Sequence, residues 1–110
     1  AELVACRFPE QNGLELKTAN YQCKMCEIDL IMQDQRVLVF VEVRMCNNNR
    51  YGSGAQTVTL SKQTKIIRTA QHCRSANPHM SKLDCLFDVI SLKEHEQKID
   101  WFKNAFTLDR

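Results

Sequence analysis

Over its first half the chain places short apolar runs between polar breaks, a pattern that predicts strands. Leu14 to Tyr21, Glu27 to Met32 and Val37 to Arg44 are rich in aliphatic and β-branched residues, and short polar links separate them. The link Gln33-Asp34-Gln35-Arg36 joins the last two as a hairpin. Ahead of them Leu3, Val4, Ala5 and Phe8 fall at near-helical spacing, which predicts a first helix over Ala1 to Gln11 with Asn12-Gly13 as its stop. Pro9 removes a backbone donor and crowds the preceding turn, so this helix is expected to kink or end early. Beyond the polar segment Cys46-Asn47-Asn48-Asn49-Arg50-Tyr51-Gly52-Ser53-Gly54, Ser61 is expected to cap a helix running to about Ala76, which Asn77-Pro78 ends. At about 100° per residue, Ile66, Ile67, Ala70 and Cys73 share one arc of that helix, while Lys62, Lys65, Arg68 and His72 share another. Leu83 to Leu92 and Lys98 to Phe106 are two further strand candidates, joined through Lys93-Glu94-His95-Glu96.

Length and composition narrow the classes. The 110 residues suit one domain spanning 1–110 with a single core. At 44% hydrophobic and 25% charged, with three Gly and two Pro, the chain is neither disordered nor fibrous. It has no apolar run near the roughly 18 residues of a membrane span and no basic-plus-apolar leader, so a cytoplasmic protein without membrane contact is expected. The chain begins at Ala1 rather than at a Met, which leaves a trimmed amino terminus open.

Charge adds a direction. The net charge of +2 says little, but no acidic residue lies between Glu42 and Asp84, an interval that holds Arg44, Arg50, Lys62, Lys65, Arg68, Arg74 and Lys82. Such one-sidedness is the footprint of a polyanion binder, because cations that neutralise phosphates release condensed counterions. Arg50, Lys62, Lys65 and Arg68 are the candidate nucleic-acid contacts. The plainer alternative is a solvated basic helix. Six cysteines invite a disulfide or zinc reading. Cys6, Cys23, Cys26, Cys46, Cys73 and Cys85 show no regular framework, and the expected compartment is reducing. Cys23-Lys24-Met25-Cys26 has the spacing of half a zinc site, which Cys46, His72 and Cys73 would have to complete without a second pair of that spacing. Incidental or buried thiols are the preferred reading.

The chemistry points to the hairpin. If its link has two or four residues, opposed positions sum to an odd number, and Glu27, Asp29, Glu42 and Arg44 share a face. Opposed Cβ atoms lie about 5 Å apart and diagonal ones about 7 to 8 Å, so Asp29 and Glu42 reach a common ion. Two carboxylates completed by waters suit Mg²⁺ or Mn²⁺. Acids among Ile, Leu, Val and Phe repel one another and lose hydration unless a cation or solvent compensates. The alternative is that this face is open to water and the acids are ordinary surface residues.

Cys26-Glu27-Ile28-Asp29-Leu30-Ile31, Val39-Phe40-Val41-Glu42-Val43-Arg44, Tyr51-Gly52, Ser61-Lys62-Gln63, Phe87-Asp88-Val89 and Asn104-Ala105-Phe106 together resemble the bacterial YraN family nearly end to end. That family in turn resembles archaeal Holliday-junction resolvases and belongs by pattern to the PD-(D/E)XK nucleases. The resemblance implies an α/β, restriction-endonuclease-like fold, a mixed central sheet flanked by helices. It also implies a metal-dependent endonuclease acting on DNA, in which Asp29, Glu42 and Arg44 are catalytic. Asp29 and Glu42 would be metal ligands, with Glu2 of the Ala-Glu first-helix motif as a further one, directly or through water. Arg44 stands where the superfamily has lysine; a guanidinium stabilises charge but is no general base. Lys62 is a candidate for a displaced catalytic lysine or for a phosphate contact, the latter preferred. By the same analogy a symmetric homodimer matches the symmetry of a junction.

The chain departs from the family pattern where Cys26 replaces a Gly, and where Cys46 and Leu86 stand in place of arginines. Two other classes therefore stay open. One is a nuclease fold that binds nucleic acid without cutting. The other is a protein-interaction module that uses Trp101, Phe102 and Phe106. No helix-turn-helix or zinc-finger reader is present, so recognition by shape is expected over recognition by sequence.

Overall fold

The computed structural model describes residues 7, 9–24, 27–45, 58–93 and 98–107. Glu2, Cys6, Cys26, Cys46, Arg50, the segment around Tyr51-Gly52 and the link at 94–97 lie outside them. Five strands form one sheet in the order β1 (Glu15–Gln22), β2 (Glu27–Asp34), β3 (Val37–Met45), β4 (Asp84–Lys93) and β5 (Lys98–Phe106). Neighbouring strands are antiparallel except β3 and β4, which run parallel in an unbroken register from Val37 beside Asp84 to Met45 beside Leu92. The sheet is therefore mixed, as expected.

The parallel pair requires a crossover, and α1 (Leu60–Ala76) supplies it, followed by the short turn α2 (Pro78–Ser81). Thr59, not Ser61, caps α1: its extended backbone lets the hydroxyl accept from the Lys62 amide at 3.2 Å. Both residues carry the hydroxyl that makes a cap, but Ser61 already lies inside the helix; buried Gln63 joins Ile66, Ile67, Thr69, Ala70 and Cys73 on the packed face. Lys65, Arg68 and His72 are exposed, as the wheel predicts. Asn77-Pro78 ends α1 as expected, and the Asn77 side chain donates to the Cys73 carbonyl at 2.8 Å. Arg74 holds the following turn by donating to the carbonyls of Ser81 and Leu83 at 3.2 and 2.7 Å.

Two apolar layers sandwich the sheet. On the α1 side Ile31, Leu38, Phe40, Phe87, Val89 and Phe106 pack against Ile66, Ile67, Ala70 and Cys73. Phe87 stacks between Phe40 and Phe106 at 5.5 and 5.1 Å. Phe106, which the interaction-module alternative would put on a partner surface, is a core residue, 5% exposed, as terminal aromatics more often are. On the other face Leu14, Leu30, Met32, Val39, Val41, Ile90 and Leu92 form the second layer. Helical geometry at positions 9–11 stops at Asn12-Gly13, with Gly13 at φ +95° and the Leu14 amide donating back to the Pro9 carbonyl at 3.1 Å. Pro9 is a buried residue of that last turn, and of the residues before it only Arg7 is described.

β2 and β3 connect through the two-residue link Gln35-Arg36, shorter than the four-residue link read from polarity, with Gln35 at φ +56°. Opposed positions still sum to an odd number, so the facing argument holds from Leu30 beside Val41 to Asp34 beside Val37. Beyond Leu30 it breaks. Ile28 packs on the α1 side and Leu30 on the other, although residues two apart in a regular strand share a face. The β1 residue that this register sets across from Asp29 is Asn20, at φ +55°. Both strands turn over at one level, and Asp29 sits at the turn. Among the described residues no helix is long and apolar enough to cross a membrane.

Candidate carboxylate site

The turn-over ends the β2–β3 ladder and frees Asp29 from pleated geometry. In place of a ladder bond, the Val43 amide donates to Asp29 Oδ2 at 2.8 Å. This fixes the carboxylate beside Glu42, near enough for its charge and hydrogen bonding to act on the Glu42 carboxyl.

Glu42 lies beside Val89 near the middle of the sheet, and its side chain is only 6% exposed. Burial, then the hydrogen bond to Asp29 and that group's charge, push the Glu42 carboxyl up from 4.5 to about 8; Lys62 and, less strongly, Arg44 oppose the rise. Lys62 Nζ stands 3.9 Å from Glu42 Oε2, reaching over from the first turn of α1. That turn carries no acidic residue.

The structure therefore brings Asp29, Glu42 and Lys62 together, with Arg44 close enough to act on Glu42 by its charge. Arg44 itself is exposed near the end of β3. Lys65 and Arg68 lie farther along the open face of α1; Glu2 and Arg50 fall outside the described residues. Glu27 does not follow Asp29 onto the shared face, because Ile28 takes the α1 side and sends its neighbour to the other. Leu86, standing where the resemblance leads to an arginine, is 37% exposed and lies in register with Val39, on the face away from Glu42. Its departure takes no cation from this site.

The donor set fits a hard divalent ion: two adjoining carboxyl groups, partly shielded from water. Among the described residues no group of three or more His, Cys, Asp or Glu is placed to hold a metal. Two buried polar residues of β4 were not singled out from the sequence. Ser91, 3% exposed, lies beside Arg44 on one side and Asp100 on the other, so a polar row runs across the sheet next to Glu42. Asp88, 2% exposed, accepts from Trp101 Nε1 and the Asn104 amide at 2.8 Å each. It bridges the bulge where the β4–β5 register shifts between Phe87 and Val89, and Asn104 takes φ +52° there. Asp88 and Asn104 both stand in segments that carry the resemblance, and their link is architectural. Elsewhere, Tyr21 Oη meets His72 Nδ1 at 3.1 Å and Cys23 Sγ lies 3.7 Å from Thr69 Oγ1, so several of the candidate zinc ligands line one seam between β1 and α1. Burial there pushes the Cys73 thiol up.

Comparison with known proteins gives consistent results. Residues 1–92 match the model of a family described as "Uncharacterised protein family UPF0102". A UPF0102 protein of Saccharophagus degradans is 47% identical over 109 residues, covering 99% of this chain and 91% of that protein. One from Nitrosomonas europaea is 41% identical over 107 residues, covering 96% and 89%. The solved structure of Pyrococcus furiosus SfsA in complex with Ca²⁺ aligns with 91% of this chain and 58% of that one, at TM-score 0.38 and 9% identity. A likeness that distant carries no argument about the site. The family match and the relatives run along nearly the whole chain, which belongs to the UPF0102 family, the one named YraN in the sequence reading.

Proposed function

We propose that the chain is a metal-dependent endonuclease that hydrolyses phosphodiester bonds in DNA, with branched or junction DNA as its substrate shape. The observation that carries this reading is the setting of Glu42, with Lys62 Nζ 3.9 Å from its Oε2 and Asp29 held beside it by the Val43 amide where the β2–β3 ladder ends. Asp29 and Glu42, with Glu2 as a further candidate, would hold Mg²⁺ or Mn²⁺. Such an ion, when bound, polarises the phosphate and lowers the pKa of the attacking water. The chain's own residues do the rest. The Val43 amide fixes the Asp29 carboxylate, Arg44 and Lys62 supply positive charge where the phosphorane gathers negative charge, and Lys65 and Arg68 continue the cationic track along α1. A symmetric homodimer would present two such sites to a junction.

Calorimetric titration of Mg²⁺ and Mn²⁺ into the wild type and into an Asp29→Ala/Glu42→Ala double variant tests the proposal, with cleavage of branched and linear DNA followed in parallel. Metal binding lost in the double variant, together with metal-dependent cutting by the wild type, is the expected result. A wild type that binds neither ion refutes the catalytic reading. A second reading, nucleic-acid binding without cleavage, draws on Arg44 at the position where the superfamily lysine is expected. Metal binding and salt-dependent DNA affinity without cutting would favour it.

A further inference from the structure

A second cluster of ligating side chains lies toward the other end of α1, where Cys73 stands about 16 Å along the helix axis from Lys62. Cys73 is buried, and its thiol donates to Met80 Sδ of α2 at 3.7 Å. Two further polar groups approach the same sulfur. Asn77 Nδ2 lies 3.9 Å from it, and the Tyr21 hydroxyl is near enough for its hydrogen bonding to act there. Cys23, just past β1, lies beside the preceding turn of α1, with its Sγ 3.7 Å from Thr69 Oγ1. Its charge acts on the Tyr21 hydroxyl, as that of Cys73 does, so the two thiols flank one group. Both are thiols rather than halves of a disulfide. Sulfur from the end of β1, from α1 and from α2 thus meets in one seam.

Sulfur ligands about 2.3 Å from a tetrahedral ion stand about 3.8 Å apart, close to the separation of Cys73 Sγ and Met80 Sδ. An ion that takes the place of the thiol proton therefore needs little movement of either sulfur. The donors also select the ion. Among the described residues no group of three or more His, Cys, Asp or Glu converges to build the closed shell of a structural Zn²⁺. Thiolate with thioether is a soft set, and Cu⁺ accepts such a set with fewer ligands than Zn²⁺ takes. We propose that Cys73, Met80 and Cys23 form a binding site for Cu⁺, a soft monovalent cation, which displaces the Cys73 thiol proton to solvent and ties β1 to α1 and α2. Asn77 and Tyr21 then donate to the thiolate that the ion creates. Cys23 and Cys73 were candidate zinc ligands without a second Cys pair; the missing donor is a methionine, which no spacing of cysteines reveals. The proposal is independent of the carboxylate site.

The test titrates Cu⁺, kept reduced by ascorbate in the absence of oxygen, against the chelator bathocuproine disulfonate. It compares wild type with Met80→Leu, Cys73→Val, Cys23→Ser, Cys26→Ser and Cys85→Ser, and each protein is also melted with and without the ion. Met80→Leu nearly conserves volume and leaves all six thiols in place, so its loss reports the thioether alone. Met80→Leu, Cys73→Val and Cys23→Ser are each expected to weaken Cu⁺ binding about tenfold or more, and Cys26→Ser and Cys85→Ser by less than about threefold. Free Cu⁺ at a hundredfold excess over Kd should raise the wild-type melting temperature by roughly 10 °C. A wild type that leaves all the ion with the chelator overturns the proposal, and so does a Met80→Leu variant that binds as wild type does. Binding lost in Cys26→Ser and kept in Cys73→Val assigns the ion to the Cys-x-x-Cys pair and overturns it as well. A wild type that takes Zn²⁺ in preference to Cu⁺ refutes the choice of a monovalent ion. Melting without metal separates a lost fold from a lost ligand, and Met80→Leu keeps the test decisive if Cys73→Val unfolds.

Discussion

Replacing Glu42 by glutamine is expected to stabilise the metal-free protein in mild alkali and to leave it nearly unchanged near pH 4. The folded protein holds the Glu42 proton more tightly than the unfolded chain does, because burial and Asp29 both disfavour a second negative charge. The group's stabilising contribution is therefore complete below the unfolded value of 4.5 and is lost as pH rises through about 8. Each tenfold change in proton affinity is worth about 1.4 kcal/mol, so the interval sets a ceiling of roughly 5 kcal/mol. Solvent and the two nearby cations screen part of this, and about half, roughly 2 to 3 kcal/mol, is the working figure. Glutamine keeps the shape and a donor toward Asp29 without the charge. In a domain of this size about 1 kcal/mol moves the melting temperature by roughly 4 °C, so the variant should melt roughly 8 to 12 °C above wild type at pH 8.5. The assay is thermal unfolding followed by circular dichroism in EDTA, at pH 4 and at pH 8.5. A Glu42→Gln variant that melts at or below the wild-type temperature at pH 8.5 would refute the reasoning. A residue whose removal strengthens the fold is one retained for something other than the fold.

Two further predictions concern the frame that holds the site. Asp88→Ala removes the acceptor of both the Trp101 indole and the Asn104 amide, so chemical denaturation should show a loss of about 2 to 4 kcal/mol, and an unchanged midpoint would show that water takes over both bonds. Gln35→Gly relieves a side chain held at φ +56° in the β2–β3 link and should raise stability by about 0.5 to 1 kcal/mol in the same measurement; a loss would mean that the Gln33 side-chain bond to the Gln35 carbonyl depends on glutamine there.

Much of the sheet was legible because strands announce themselves by composition, and the hairpin register because a link of even length leaves only one parity. That parity holds only as far as Leu30 beside Val41; Asp29 reaches Glu42 at the break itself, held there by the Val43 amide. Ile28 and Leu30 are both apolar, so no pattern shows that they face opposite layers, and Glu27 was carried along with Asp29. Lys62 entered as a displaced catalytic lysine or a phosphate contact, but its approach to Glu42 has no signature in the pattern. Its wheel position says only that it points away from Ile66, whereas its distance to Glu42 depends on how the crossover lays α1 across the sheet. Asp88 and Ser91 were hidden for a related reason, since β4 reads as a continuous apolar strand and its polar members are explained only by partners on β3 and β5.

The parallel pairing of β3 with β4 also sets an order of assembly. β1, β2 and β3 follow one another over short links, so closing their hairpins costs little chain entropy, whereas the β3–β4 ladder must span everything from Met45 to Asp84. Asp29 and Glu42 both belong to the local unit, and Lys62 belongs to the long connection that docks afterwards. The two acids are thus joined by local chain, whereas the cation that answers them is delivered by the longest connection in the sheet.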